Sequence, residues 1–333
     1  MDPLTHTATG LFLSRAGLNR WTPAATPILI LAANAPDIDI VSAAGGSLNY
    51  LHFHRHFTHS LAAIPLMAVL SVGVVALLYR KQKIHWVGAF FAALIAVVSH
   101  LLLDLTNTYG VRLLAPFSGR WFHLDFTNVV DLWIWAVLLL CVLGPLISRL
   151  VSTEITSGGA KTRYPGRGFA ILGLSFLLLY NAGRSVLHSR ATAVLDSRIY
   201  NGAEPLRVAA LPDAVNPWRW RGLVETGGFY AVQDVNLAGD FDPTRATIYH
   251  KPDPGPELAA PRTTPTFRIF LDFSQFPLWR VSPVAEPEGG KEVEVFDMRF
   301  GSPSAPGFHC GALLNSRLEV IDTFFTFGQV RPR

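Results

Sequence analysis

"LHFHRHFTHSLAAIPLMAVLSVGVVALLY", residues 51–79, joins two unlike halves. From Leu61 to Tyr79 the chain is apolar without a charge. That is close to the ~20 residues a helix needs to cross a hydrocarbon core at ~1.5 Å per residue. Directly before it stand His52, His54, His56 and His59, four of the eleven histidines in the chain. The second half predicts a membrane-spanning helix. The first half asks what four imidazoles do at its mouth.

Three more stretches have the same spanning character: Trp86 to Leu103, Val129 to Val151 and Gly168 to Leu187. Half of the 333 residues are hydrophobic and 16% are charged, with positive mean hydropathy, a balance that points to membrane. Ahead of residue 45 lie two shorter apolar segments, about Thr7 to Leu18 and Pro23 to Ala35, joined by "SRAGLNRW". They predict a helical hairpin, re-entrant or barely spanning. A hairpin brings its ends together, which sets His6 near Asp37 and Asp39. The opening "MDPLTHTATG" has no basic region ahead of an apolar core and no small-residue cleavage site, so it reads as retained sequence.

Past residue 190 the pattern changes. Prolines and charges become frequent, "TFRIFLDF" (266–273) and "KEVEVFDMRF" (291–300) alternate in part, and "LEVIDTFFTF" (318–327) is rich in β-formers. Turn-forming "GDFDPT" and "PDPGPE" separate such runs. The expected fold is an α-helical polytopic membrane domain over 1–190, with four spans and an N-terminal helical hairpin. A small β-rich extramembrane domain over 191–333 follows it. The net charge of +4 comes from scattered basic residues, which argues against a nucleic-acid partner. The cysteines, Cys141 and Cys310, make neither a disulfide framework nor a zinc ribbon.

Basic residues in short loops set orientation. Arg80, Lys81 and Lys83 lie in one loop, and Arg149, Lys161, Arg163 and Arg167 in another. Span counting puts both on one side, expected to be cytoplasmic, with Arg15 and Arg20 joining them if the hairpin spans. The expected location is a bacterial inner membrane. Residues 45–60, the loop 104–128 and the C-terminal domain then share the outer, periplasmic side. His6, Asp37, Asp39, the 52–59 histidines, His100, Asp104, His123 and Asp125 all converge on that face.

The spacings suit a metal. His100 and Asp104 are four apart, so a helix projects both from one face, and His52 and His59 are seven apart. Asp37 and Asp39, two apart, share a face where the chain is extended. A mixed histidine and carboxylate set suits zinc, manganese or iron better than magnesium or calcium. Such a set can hold an activated water and clamp the oxygens of a phosphoester, and Arg55 can pair with a phosphate. Other polar residues read differently. His85, beside Trp86, is an interfacial anchor; His188, His250 and His309 have no acidic or histidine neighbours at ligand spacing. Thr127, Asn128 and Asp131 read as caps of the third span. Asn181 and Arg184 lie in the fourth span toward the outer face, where Arg184 can contact a phosphate or a site carboxylate or simply snorkel.

"LTH" at 4–6, "APDID" at 35–39, "HRHFTHSL" at 54–61 and "SHLLLDLTNTYGVRLLAPF" at 99–117 resemble, in order, the YdjM-type family of membrane-bound metal-dependent hydrolases. The resemblance covers roughly residues 1–190. It implies metal-site roles for His6, Asp37, Asp39, His54, His59, His100 and Asp104, with Arg55 and Thr58 in support. The family is similar in turn to zinc-dependent phospholipase C, where His6, Asp37, His59, His100 and Asp104 match the order of ligands. Ile40 stands where some relatives have a histidine, and the later phospholipase ligands have no counterpart beyond His123.

The expected function is hydrolysis of an ester or phosphoester in a lipid or lipid-linked substrate, with one to three divalent ions, zinc first and manganese or iron next. Asp37, His59, His100 and Asp104 are expected to hold the principal metal. His6 and Asp39 would hold a second ion or orient the first, and His54 would be a ligand or the leaving-group acid. His54, Arg55 and Asp39 are the expected catalytic residues. The β domain would cover the site, select substrate or bind a protein partner. Rival readings are a metal transporter or sensor, a haem protein using His59 and His100, and a non-catalytic scaffold.

Overall fold

The computed structural model describes residues 1–155 and 166–327. Lys161 and Arg163 of the second basic loop lie outside them. Helix α1 (Pro3–Ala16) starts where Asp2 accepts the backbone N–H groups of Leu4 and Thr5, with Pro3 preset for a first turn. It stops at Gly17, whose φ of 156° suits glycine. Helix α2 (Ala25–Asn34) runs back against it. Gly10 makes that approach possible: a Cβ there would stand 2.6 Å from the carbonyl oxygen of Leu29.

Beyond Asn34 the chain tightens into a 3-10 run, Ala35–Gly45, and then forms helix α3 (Ser47–Phe53). Helices α4 (Ile64–Leu78) and α5 (Trp86–Leu105) form an antiparallel pair, followed by α6 (Leu132–Ile155) and α7 (Arg167–Asp196). Among the described residues, four stretches are long and apolar enough to cross a membrane: Ala25–Gly45, Leu61–Leu78, Trp86–Leu105 and Arg167–Asp196. Leu132–Ser148 is a shorter apolar helix. The second N-terminal segment therefore reaches spanning length, because the 3-10 run extends α2 past Pro36. The start of α6 at Leu132 is set by Asp131, whose Oδ1 accepts from the N–H groups of Trp133 and Ile134. Its carboxylate also takes the Tyr180 hydroxyl.

The chain divides into two compact units, Met1–Ile38 with Arg55–Leu187 and Pro212–Pro217, and Asp39–His54 with His188–Leu211 and Trp218 onward. In the first, alanines do the packing. Ala32 and Ala33 of α2 and Ala89, Ala92, Ala93 and Ala96 of α5 are buried in one cluster with Met67, Ala68, Val72 and Val75 of α4. The α5 alanines fall at helical spacing, and small residues let apolar helices approach closely. At one end of the unit the His85 N–H donates to the Thr22 hydroxyl (3.1 Å), and Gly88 meets the Trp21 backbone. Arg167 Nε donates to the Ala16 carbonyl (3.1 Å). The hairpin tip with Arg15 and Arg20 thus lies beside the α4–α5 turn that carries Arg80, Lys81 and Lys83.

The second unit is antiparallel β. One sheet has the order β1 (Arg207–Pro212), β2 (Arg219–Glu225), β3 (Phe229–Asn236), β4 (Thr247–His250). Two short helices follow, α8 (Pro256–Ala259) and α9 (Pro265–Phe273). The other large sheet combines β5 (Pro277–Pro283), β6 (Lys291–Asp297), β9 (Phe308–Leu314) and β10 (Val320–Phe327) in the order β10-β9-β6-β5. β7 (Gly301–Ser302) pairs with β8 (Ala305–Pro306). "TFRIFLDF" is α9 rather than a strand. Thr264 caps it, Pro265 opens it, and Phe267, Phe270 and Phe273 at three-residue spacing form its buried face. Helix α3 packs on α9 and β10 within this unit.

Candidate metal centre

Four ligand-type side chains meet in the first unit. Asp37 comes from the 3-10 run after α2, His59 from the turn before α4, and His100 and Asp104 from the last turns of α5. One donor atom from each lies within 4.8 Å of the other three. His59 Nε2 is 3.2 Å from Asp104 Oδ2 and 3.4 Å from Asp37 Oδ1. His100 Nε2 is 3.3 Å from Asp104 Oδ2, 3.7 Å from Asp37 Oδ1 and 3.2 Å from His59 Nε2.

The tautomer of His100 decides what these distances mean. Its Nδ1 lies 2.7 Å from the Ala33 carbonyl oxygen. A carbonyl only accepts, so Nδ1 carries the hydrogen and Nε2 of the neutral ring presents a lone pair. That lone pair faces two carboxylate oxygens, which are acceptors as well. Asp104 Oδ2 is buried without a hydrogen bond. Such a convergence of acceptors in a buried place asks for a positive charge at its centre. The residues therefore fit a divalent cation, with the carbonyl behind His100 in the orienting role common to metal-bound histidine.

His6 lies at the edge of this group. Its ring stacks on His100 with centroids 3.8 Å apart, its Nε2 is 3.4 Å from Asp104 Oδ1, and both its ring nitrogens are buried without a hydrogen bond. The amino group of Met1 also contacts Asp104, a neighbour that sequence reasoning missed. The one signal for it was "MDP", which marks a helix start on the same end of α1 as His6.

Arg55 is buried and held in place. Its Nη2 donates to Asp104 Oδ1 (3.1 Å), its Nη1 donates to Asn107 Oδ1 (3.0 Å), and its guanidinium lies over the Tyr109 ring. With Oδ1 taken by arginine, Asp104 turns Oδ2 toward the histidines. The backbone at Arg55 has φ of 57°, the left-handed region, a strain of about 1–3 kcal/mol that proteins retain where surrounding structure demands it. Thr58 Oγ1 is 3.1 Å from His59 Nδ1.

The other expected residues have these partners. Asp39 and His54 belong to the second unit and pair with each other, His54 Nδ1 to Asp39 Oδ1 at 2.8 Å, while the His54 ring stacks on Tyr50. His52 sits edge-on to Phe53, and His56 precedes the turn that carries His59. His123 and Asp125 pair at 3.0 Å. Arg184 is buried and donates to the Phe126 and Pro217 carbonyls. That fastens two segments of chain and takes the place of snorkelling. Asn128 donates to the Pro212 carbonyl, and Thr127 Oγ1 pairs with Thr106 Oγ1. His188 meets Trp220, His250 meets Phe229, and His309 is buried between Phe296 and Phe324.

Residues 1–191 match the model of the family described as "YdjM inner membrane protein". A protein of Bacillus subtilis (strain 168), described as "Uncharacterized protein YfhP", is 26% identical over 315 residues. That alignment covers 91% of this chain and 88% of the relative, so the likeness extends past residue 191 into the β-rich region. No solved structure matches the chain.

Proposed function

The chain belongs to the YdjM inner membrane protein family, and on that premise we propose that it is a membrane-bound metal-dependent hydrolase. Its substrate is an ester or phosphoester in a lipid or lipid-linked molecule, cleaved by metal-activated water. The observation that carries this reading is the Asp37–His59–His100–Asp104 cluster, with the His100 lone pair and the orphaned Asp104 oxygen turned toward one point. A set of two imidazoles and two carboxylates suits zinc, with manganese or iron next. A bound divalent ion of this kind lowers the pKa of a water molecule toward neutrality and polarises an ester oxygen.

The chain's own residues do the rest. The Ala33 carbonyl keeps His100 in the metal-binding tautomer, Arg55 fixes the Asp104 carboxylate, and His6 closes the inner wall. Asp37, the least buried of the four, marks the open side. The basic residues of the hairpin tip and the α4–α5 turn share one end of the helical unit and the cluster occupies the other. By the positive-inside rule the cluster then faces the outer side.

Elemental analysis of the detergent-purified protein beside His100→Ala and Asp104→Ala tests the proposal, followed by a screen of phospholipid and lipid-linked phosphoesters. The expected result is at least one zinc or manganese per chain, absent from both variants, and hydrolysis by the wild type alone. A wild type that takes up no metal on reconstitution, or two variants with full activity, would overturn it.

A further inference from the structure

Of the four cluster side chains, Asp37 alone reaches the surface. His59, His100 and Asp104 have fully buried side chains, whereas Asp37 keeps 21% of its side chain exposed. A molecule that approaches the cluster from the surface would meet Asp37 first. The segments next to the ligands carry exposed apolar side chains. Ile38 follows Asp37 directly, Phe57 and Leu61 bracket His59 two residues to either side, and Leu114 and Phe117 belong to the loop after α5.

Backbone hydrogen bonds hold this loop against the ligand-bearing segment. The Arg112 N–H donates to the Arg55 carbonyl (3.1 Å) and the Leu61 N–H to the Leu113 carbonyl (2.9 Å). Phe117, 89% exposed, is more exposed than any other large apolar residue among those described. A water-soluble substrate gives no reason to surround its entry with such residues. A bilayer does. Leu61 is also the first residue of the stretch Leu61–Leu78, whose Leu66, Val69, Leu70 and Leu77 are exposed as well. Through Leu61 these residues are continuous with the exposed apolar surface of that stretch. Three residues past Phe117, the exposed Arg120 lies over the Phe122 ring (5.3 Å), a cation at the depth of anionic headgroups.

We propose that the metal centre opens to the bilayer, with Leu61, Leu114 and Phe117 set in its hydrocarbon edge to seat the acyl chains of a membrane lipid whose polar head reaches past Asp37. This rests on the hydrolase reading for its chemistry and specifies the substrate as one taken from the membrane. Phe117 and Leu114 act as substrate-positioning residues.

Phe117→Cys, labelled with bimane, tests the proposal without reference to turnover. Cys141 and Cys310 are buried, so the label goes to the new thiol. The protein is reconstituted in vesicles of phosphatidylethanolamine and phosphatidylglycerol, with and without lipid carrying a nitroxide at acyl carbon 5. The expected result is quenching by nitroxide lipid at least threefold stronger than by aqueous iodide. Quenching by iodide alone would overturn the proposal, and so would protection from both quenchers, which would mean a protein partner on this surface. Either failure leaves the metal analysis of the cluster standing. In turnover, Phe117→Asp should lose at least tenfold more on a phosphoester held in vesicles than on a short-chain soluble phosphoester, with its metal content unchanged. Equal loss on both substrates would contradict the assigned role.

Discussion

The Arg55 guanidinium holds the Asp104 carboxylate, and that single contact separates two uses of arginine. An arginine aimed at substrate phosphate would keep its nitrogens for the ligand, whereas here two of them are bound to Asp104 and Asn107. Arg55 therefore acts through Asp104. Arg55→Lys keeps the charge but loses the planar fork. Metal affinity should fall about 10- to 100-fold, the usual cost of removing an outer-shell partner, as read by competition with a chromophoric chelator. Unchanged affinity in this variant would return Arg55 to the role of a phosphate ligand. Asp131→Ala removes a helix cap and the partner of the Tyr180 hydroxyl together. A loss of about 1–2 kcal/mol is expected, measured by unfolding in detergent, with metal content unaltered.

Among the elements, the α1–α2 hairpin depends on Gly10. In Gly10→Val the new Cβ meets the Leu29 carbonyl oxygen at 2.6 Å and Ile30 Cα at 2.9 Å, both backbone atoms that cannot rotate away. The helices must move apart, and α1 carries His6. The variant should lose about 1–3 kcal/mol through overpacking, which thermal unfolding in detergent reads directly. In the second unit, Glu225 on β2 pairs with Lys251 (2.8 Å) and Arg207 (2.8 Å). Burial pushes its carboxyl pKa up, but the hydrogen bond from Lys251 and the charge of Arg207 outweigh that, and the net shift is downward. A carboxyl with a depressed pKa in the folded state stabilises above its unfolded value, about 4.3 for glutamate, and that stability is lost as pH falls through the folded value. Glu225→Gln should therefore unfold with a flatter acid limb than the wild type below about pH 4.3, and identical acid limbs would count against the pairing.

For the whole molecule, the cluster joins segments far apart in the chain, from residue 37 to residue 104, and a bound cation would tie the run after α2, the turn before α4 and α5 together. Stabilisation by a ligand that binds only the folded state is about 2.7 kcal/mol at a hundredfold excess over Kd. Chelation should lower the unfolding temperature, zinc or manganese should restore it, and His100→Ala should respond to neither. A wild type indifferent to chelator and metal would leave the cluster without a cation. The second unit has no role in this test. The alignment with the Bacillus relative covers 91% of the chain and so takes in sequence from both regions.

Sequence pattern alone located three of the four helices of spanning length, the β-rich region and the His100–Asp104 pair at the end of α5, whereas the expected third span is the shorter apolar helix Leu132–Ser148. Hydropathy is a local property, and His100 and Asp104 four residues apart on one helix have little freedom to diverge. Segments far apart in sequence were another matter. Asp37 and Asp39 look equivalent in "APDID", yet Asp37 joins His59, His100 and Asp104, while Asp39 pairs with His54. Among His52, His54, His56 and His59, only His59 joins the cluster. The choice depends on side-chain direction in a 3-10 run and a turn, where no simple period applies. "TFRIFLDF" carries two patterns at once, because phenylalanines three apart and a partial alternation coincide over eight residues, and the Thr264–Pro265 start decides for helix. Tertiary structure alone decided which atoms face one another, because backbone distant in sequence, such as the Ala33 carbonyl behind His100, sets the orientation of each ligand.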